Sequence, residues 1–137
     1  MKTRVLILCT GNSARSQMAE GLLRHMAGDR LEVHSAGTRP GSVRTEAIAA
    51  LAEIGIDIRT HRSKHVDDFA GQPFDYVITV CDHAKQSCPV FPVGTRRIHW
   101  SFEDPAATTG DQPHRLAEFR RIRDQISHRL TEFVDSL

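Results

Sequence analysis

Residues 3–9, Thr-Arg-Val-Leu-Ile-Leu-Cys, are a β-branched and leucine run of strand length that stops at the turn signal Gly11-Asn12-Ser13. Met18, Leu22, Leu23 and Met26 then recur at helical spacing. Strand, loop and helix are therefore written into the first 27 residues, and the pattern repeats. Residues 32–36 read as a second short strand, closed by Gly37-Thr38-Arg39-Pro40-Gly41. Val43, Ala47, Ile48, Leu51 and Ile54 mark a second amphipathic helix stopped by Gly55. Residues 74–80, apolar on both faces, suit a central parallel strand, and 96–100 a weaker fourth. Leu116, Phe119, Ile122, Ile126, Leu130, Phe133 and Leu137 step by three or four along one long helix. Strands alternating with helices imply parallel βαβ units. The expected fold is an α/β three-layer sandwich, a four-stranded parallel sheet flanked by helices, with functional loops beyond the C-terminal strand ends. Residues 59–72 and 101–113 are the expected irregular stretches.

The chain has 137 residues, the size of one domain spanning 1–137. Apolar residues at 39% and charged residues at 26% argue against disorder and low complexity. Lys and Arg exceed Asp and Glu by 18 to 17, so bulk charge gives no reason to expect nucleic acid or an anionic membrane as partner. The apolar run after Lys2 and Arg4 is too short for a signal-peptide core, and no stretch approaches a membrane span. A cytoplasmic protein is expected, acting as a monomer, with its three cysteines reduced and available for chemistry.

The sharpest local feature is Cys9-Thr10-Gly11-Asn12-Ser13-Ala14-Arg15-Ser16, a cysteine at a strand end, a glycine-containing loop, and an arginine opening a helix. Backbone N–H groups of such a loop converge on one point, the helix dipole adds partial positive charge there, and an Arg fork matches a tetrahedral oxyanion. The same field favours the thiolate of a cysteine so placed, which can attack the bound anion without a histidine partner. Cys-x5-Arg alone occurs by chance in many chains. The strand before it and the helix after it supply the confirming context.

These residues resemble the low-molecular-weight protein tyrosine phosphatases and, more closely, the thioredoxin-coupled arsenate reductases built on that fold. The resemblance spans essentially the whole chain. It is carried by residues 5–21, by Ser35-Ala36-Gly37, by Val80-Cys81 with Cys88-Pro89, by 99–105 (His-Trp-Ser-Phe-Glu-Asp-Pro) and by 119–124 in the last helix.

Two chemistries are open to this family. A phosphatase needs one nucleophilic cysteine and a general acid, whereas arsenate reduction takes two electrons, which a pair of thiols supplies by becoming a disulfide. Cys81, at the end of the third strand, belongs to the same rim as Cys9, and Cys88 lies seven residues on. If 82–88 is helical, the two Cα atoms stand roughly 10 Å apart, beyond the ~7 Å disulfide limit. Pairing them would then require residues 82–92 to change conformation on oxidation. A zinc site has poor support, because Cys-x6-Cys stands without a second ligand pair. What the resemblance implies is a relay. Cys9 attacks arsenate held by the loop amides and Arg15, Cys81 attacks Cys9 and releases arsenite, and Cys88 attacks Cys81. The resulting Cys81–Cys88 disulfide is reduced by thioredoxin, ultimately by NADPH, with no tightly bound cofactor. Phosphate and sulfate are the expected arsenate analogues.

Asp104 precedes Pro105 in the loop after the last strand, which suits a general acid; Glu103 and Asp111 are local rivals, and the family's Asp-Pro signature selects Asp104. The resemblance gives Ser16 the support of loop and thiolate, and Asn12 the bracing of the loop. Some relatives bind potassium through residues matching Asn12, Glu20 and Ser35 plus an acidic residue where this chain has Lys64, so no metal is expected. His61 and His65 are the nearest histidines for a secondary role. Ala14 stands where many relatives carry a further cysteine, and Ala106-Ala107 follows Asp104-Pro105 in place of the aromatic pair of tyrosine phosphatases. A small inorganic anion fits better than phosphotyrosine. The competing expectations are a phosphomonoesterase working through a Cys9 phosphoenzyme and a catalytically idle anion-binding module.

Overall fold

The computed structural model describes residues 2–82, 84 and 91–137. Four strands, β1 (Thr3–Cys9), β2 (Leu31–Gly37), β3 (Tyr76–Thr79) and β4 (Arg96–His99), form one parallel sheet in the order β2-β1-β3-β4. The helices among the described residues are α1 (Arg15–Ala27), α2 (Thr45–Ala52) and α3 (Gln112–Asp135), with 3-10 turns at Val66–Phe69 and Pro105–Ala107. The expected α/β sheet with its element order is thus present; β1 keeps its expected bounds and the ends of the other strands move by at most two residues. Two apolar positions leave the stripes assigned to them. Ile54 and Leu137 lie past the ends of α2 and α3 and are 45% and 48% exposed, because both helices stop sooner than the spacing of their leucines and isoleucines. The two stretches expected to be irregular each contain a 3-10 turn.

Strand alternation sorts the sheet into two faces. On one, Ser35 donates to Glu20 of α1 at 2.6 Å and Tyr76 meets Phe133 of α3 edge-on, with ring centroids 5.1 Å apart. On the other, His34 packs against Phe69 and Phe74, and Phe74 against Phe91. The helix between β2 and β3 does not cover this second face. Instead α2 packs on α1 and α3: Arg123 donates to the Ala50 carbonyl at 2.8 Å, and a Cβ on Gly21 would fall 2.7 Å from Leu51. Among the described residues, Phe69 of the 59–72 stretch and Phe91 pack on this second face. Val5, Leu6, Ile7, Leu8, Ile78, Phe119, Ile122, Ile126 and Leu130 are fully buried in one continuous core. That core fixes the strand ends on which the site is built.

Most of the 82–92 segment expected to change conformation on oxidation, with the Cys88 thiol, lies outside the described residues.

Candidate active site

At the C-terminal end of β1 the chain leaves the sheet through residues 10–14 and enters α1. Every carbonyl of this loop is taken from outside it. Thr38, Arg39, Gly41 and Arg44 donate backbone N–H groups to the carbonyls of Cys9, Thr10, Gly11 and Ser13 at 3.2, 2.8, 2.9 and 2.9 Å. The Ser63 hydroxyl donates to the Asn12 carbonyl at 2.6 Å, and Met18 N–H to that of Ala14 at 2.9 Å. With the carbonyls drawn outward, the amides turn inward. Among the described residues no protein acceptor takes the N–H of Gly11, Ser13 or Ala14. Helix α1 starts with no side-chain cap and no acidic residue in its first turn. The orphan donors and the positive end of the helix dipole are left for an anion.

Cys9 lies beneath this cradle, 2% exposed. The Asn12 N–H donates to its Sγ at 3.2 Å, and the Ser16 hydroxyl stands 2.9 Å from the sulfur. Asn12 adopts φ +48, a left-handed conformation that asparagine tolerates better than most residues, and is fully buried. Its amide nitrogen donates to Ser16 at 2.8 Å and Ser35 at 2.9 Å, while its oxygen accepts from Gln17 at 3.1 Å and Lys64 N–H at 2.9 Å. One side chain thereby ties loop, helix, strand and the 62–65 segment together. Beneath it, the buried Glu20 carboxylate meets Arg24 at 3.0 Å, His61 at 3.4 Å and Lys64 at 3.7 Å. The Lys64 ammonium thus stands beside Glu20. Burial holds His61 below the ordinary imidazole range, against the pull of Glu20. His65 accepts from Asp67 N–H and caps the 3-10 turn.

Arg15 opens α1 and reaches across to the β4 side, donating to the Phe102 carbonyl at 3.0 Å with Asp104 Oδ2 at 3.7 Å. The two local rivals of Asp104 are engaged elsewhere: Glu103 pairs with Arg121 at 2.7 Å, and Asp111 caps α3 by accepting from His114 N–H at 3.0 Å. Asp104 alone of the three meets the loop arginine. Its other oxygen accepts from Ala106 N–H at 3.0 Å and caps the Pro105–Ala107 turn, which holds the carboxyl beside Arg15.

Cys81 follows β3 at the same end of the sheet, 5% exposed, and both Cys9 and Cys81 carry free thiols. The register pairs Leu8 with Thr79, and Val80 N–H donates to the Leu8 carbonyl at 2.9 Å, so Cys81 falls beside Thr10. The Thr10 hydroxyl stands 3.3 Å from Cys81 Sγ. Cys9, Thr10, Gly11, Asn12, Ser13, Ala14, Arg15, Ser16, Cys81 and Asp104 therefore gather at one rim. Sequence reasoning missed Gln17, Ser63 and Gly37, which brace the loop from behind. Gln17 and Gly37 lay within stretches that carry the resemblance, 5–21 and Ser35-Ala36-Gly37, while Ser63 carried no signal; a Cβ on Gly37, at the end of β2, would lie 2.4 Å from the Thr10 carbonyl. Among the described residues no cluster of three or more His, Cys, Asp or Glu is arranged to hold a metal, and no helix is long and apolar enough to cross a membrane.

Comparison with known proteins points the same way as this geometry. The arsenate reductase of Halalkalibacterium halodurans is 43% identical over 135 residues, 98% of this chain and 97% of its own length. A solved arsenate reductase in the phosphate binding state aligns with TM-score 0.77 and 30% identity, over 99% of this chain and 98% of that one. The thioredoxin-dependent arsenate reductase of Corynebacterium glutamicum aligns with TM-score 0.78 and 30% identity, over 98% of this chain and 61% of that one. Residues 4–137 match the family described as low molecular weight phosphotyrosine protein phosphatase. With this match over nearly its whole length, the chain belongs to the low molecular weight phosphotyrosine protein phosphatase family, where its relatives include arsenate reductases.

Proposed function

We propose that this protein is an arsenate reductase of the cytoplasm, working as a monomer of one domain over 1–137. Cys9 attacks the arsenic of arsenate held by the amides of residues 10–16 and by the Arg15 fork. An S–As bond forms, and the displaced oxygen leaves as water after taking a proton from Asp104. Cys81 then attacks the Cys9 sulfur. The S–S bond forms as the S–As bond breaks, its electron pair stays on arsenic, and As(V) departs as arsenite. Cys88 attacks Cys81 in that disulfide, freeing Cys9 as a thiolate and leaving Cys81–Cys88. A dithiol partner, thioredoxin with NADPH behind it, restores both thiols. No tightly bound cofactor takes part.

The observation that carries this reading is the Thr10–Cys81 contact at 3.3 Å, which supports a second thiol beside the first. The similarity to arsenate reductases, one in a phosphate binding state and one thioredoxin-dependent, adds weight to substrate and donor alike. Phosphate or sulfate would occupy the same cradle, and slow phosphomonoester hydrolysis through Cys9 would accompany reduction. The test is arsenite production with thioredoxin, thioredoxin reductase and NADPH, wild type against Cys88→Ser. The variant should stop after one turnover with Cys9 and Cys81 joined. Repeated turnover at the wild-type rate would sink the relay.

A further inference from the structure

The relay leaves one polar contact at the rim without a role. His99, the last residue of β4, is paired in register with Thr79, the last of β3. Its Nδ1 lies 2.7 Å from the Thr79 hydroxyl and its Nε2 2.9 Å from Asp82 Oδ1. The Ser101 hydroxyl donates to the same carboxylate oxygen at 3.4 Å. Thr79 and Asp82 flank Val80 and Cys81, so one imidazole spans the two-residue stretch that carries the second thiol.

The protonation pattern follows from the partners. A carboxylate only accepts, so Nε2 carries a hydrogen. The Thr79 hydroxyl can donate to a neutral ring, or accept from a charged one while its own hydrogen turns to the Ile98 carbonyl, 3.5 Å away. The bridge therefore closes in either protonation state. As stabilisation it is a weak device, because the Asp82 side chain is 75% exposed and exposed pairs contribute little. Its effect is geometric: it ties together the side chains of the residues on either side of Val80 and Cys81. Two contacts meet the thiol itself, Ala84 N–H donating to Sγ at 3.4 Å and the Thr10 hydroxyl at 3.3 Å, while His99 holds the side chain of the adjacent Asp82.

We propose that His99 is a positioning residue for the second thiol, holding Cys81 toward Thr10 and Cys9 through Thr79 and Asp82. The proposal rests on the relay reading and concerns one step of it, attack of the Cys81 thiolate on the Cys9 sulfur. In that step an S–S bond forms, the S–As bond breaks, and the electron pair stays on arsenic. A displacement of about 1 Å in such a nucleophile can slow attack by ~100-fold.

The experiment uses Cys88→Ser as parent, in which the relay stops at the Cys9–Cys81 disulfide. Two quantities are measured: affinity for inorganic phosphate, which reports the oxyanion loop, and the rate of Cys9–Cys81 disulfide formation after mixing with saturating arsenate, by rapid quench and mass spectrometry. Added to the parent, His99→Ala or Asp82→Ala should slow disulfide formation about tenfold or more and leave phosphate affinity within about twofold. His99→Gln, which keeps an N–H donor toward Asp82, should recover most of the rate. The double alanine variant should be no slower than the slower single one, as expected of two partners in one contact. Unchanged disulfide formation in His99→Ala, or parallel loss of rate and phosphate affinity, would overturn the positioning role. A parent that forms no Cys9–Cys81 disulfide with arsenate overturns the relay itself, a distinguishable result.

Discussion

The hydroxyl of Thr10 stands 3.3 Å from Cys81 Sγ, so the strand that ends in the first thiol touches the second through the very next residue. The contact exists because β1 and β3 run parallel and in register at Leu8 and Thr79. A hydroxyl in this place can donate to the Cys81 thiolate as it attacks, and hydrogen bonds to charged groups contribute about 1.5–3 kcal/mol. Thr10→Val, which keeps the shape and loses the donor, should slow Cys9–Cys81 disulfide formation by ~10-fold or more in rapid-quench experiments. Thr10→Ser should restore it. Equal rates for Thr10→Val and wild type would leave the contact without a catalytic role.

Asp104 is the acidic group that, among the three after the last strand, faces Arg15, with its other oxygen held by Ala106 N–H. Replacing it by asparagine removes the proton donor without changing shape, and should lower steady-state arsenite production by about 100-fold to 10,000-fold. Glu103→Gln and Asp111→Asn should stay close to wild type, since Glu103 is committed to Arg121 and an asparagine still caps α3. A larger loss from Glu103→Gln than from Asp104→Asn would transfer the acid role.

Two glycines separate stability from function. A Cβ on Gly37 would lie 2.4 Å from the Thr10 carbonyl and 2.9 Å from the Asn12 nitrogen, both backbone atoms of the oxyanion loop. Gly37→Ala must push the loop aside, and phosphate affinity measured by calorimetry should collapse. A Cβ on Gly21 meets side chains rather than loop backbone, those of Leu51, Ile58 and Ile56 at 2.7, 2.8 and 3.5 Å. Gly21→Ala should destabilise by about 1–3 kcal/mol in urea, the usual range for an overpacked core, while phosphate affinity persists. The reverse assignment of effects would contradict the packing described here.

His61 makes the stability of the loop support pH-dependent. Burial, the largest influence, together with Arg24 and Lys64, pushes its pKa below 6.5, and the attraction of Glu20 only partly offsets them. The neutral ring is therefore favoured in the folded state. Its contribution is fully present above pH 6.5 and is lost as pH falls through the lower folded value. His61→Gln retains a partner for Gln17 but cannot titrate. Urea melts at about pH 7.5 and about pH 5.5 should show a smaller loss for the variant than for wild type. Identical losses would remove His61 from the acid limb.

The sheet, its parallel sense and the position of the oxyanion loop were legible in the chain because each is a local or periodic property. The run Thr3–Cys9 can only be a strand, Gly11-Asn12-Ser13 can only turn it, and Arg15 opens the next helix. Cys81 was placed at the correct rim for the same reason, since parallel strands deliver their C-terminal ends to one side. What covers the second sheet face was not legible, because α2 has an apolar face that α1 and α3 satisfy as well as the sheet would, and periodicity does not name the partner.

The sequence alone thus determined the order of elements, the cysteine and arginine of the anion loop, and an acid of the right type after the last strand. Spacing left three acids open, and the resemblance named Asp104, whose approach to Arg15 the tertiary structure shows; tertiary structure alone decided which backbone groups pull the loop carbonyls outward and that His99 spans Thr79 and Asp82 across Cys81. Those are contacts between residues 20 to 90 positions apart in several cases, such as Arg15 with Phe102 and Asp104. No local pattern records them, because they arise only when the buried core fixes where the strand ends stand.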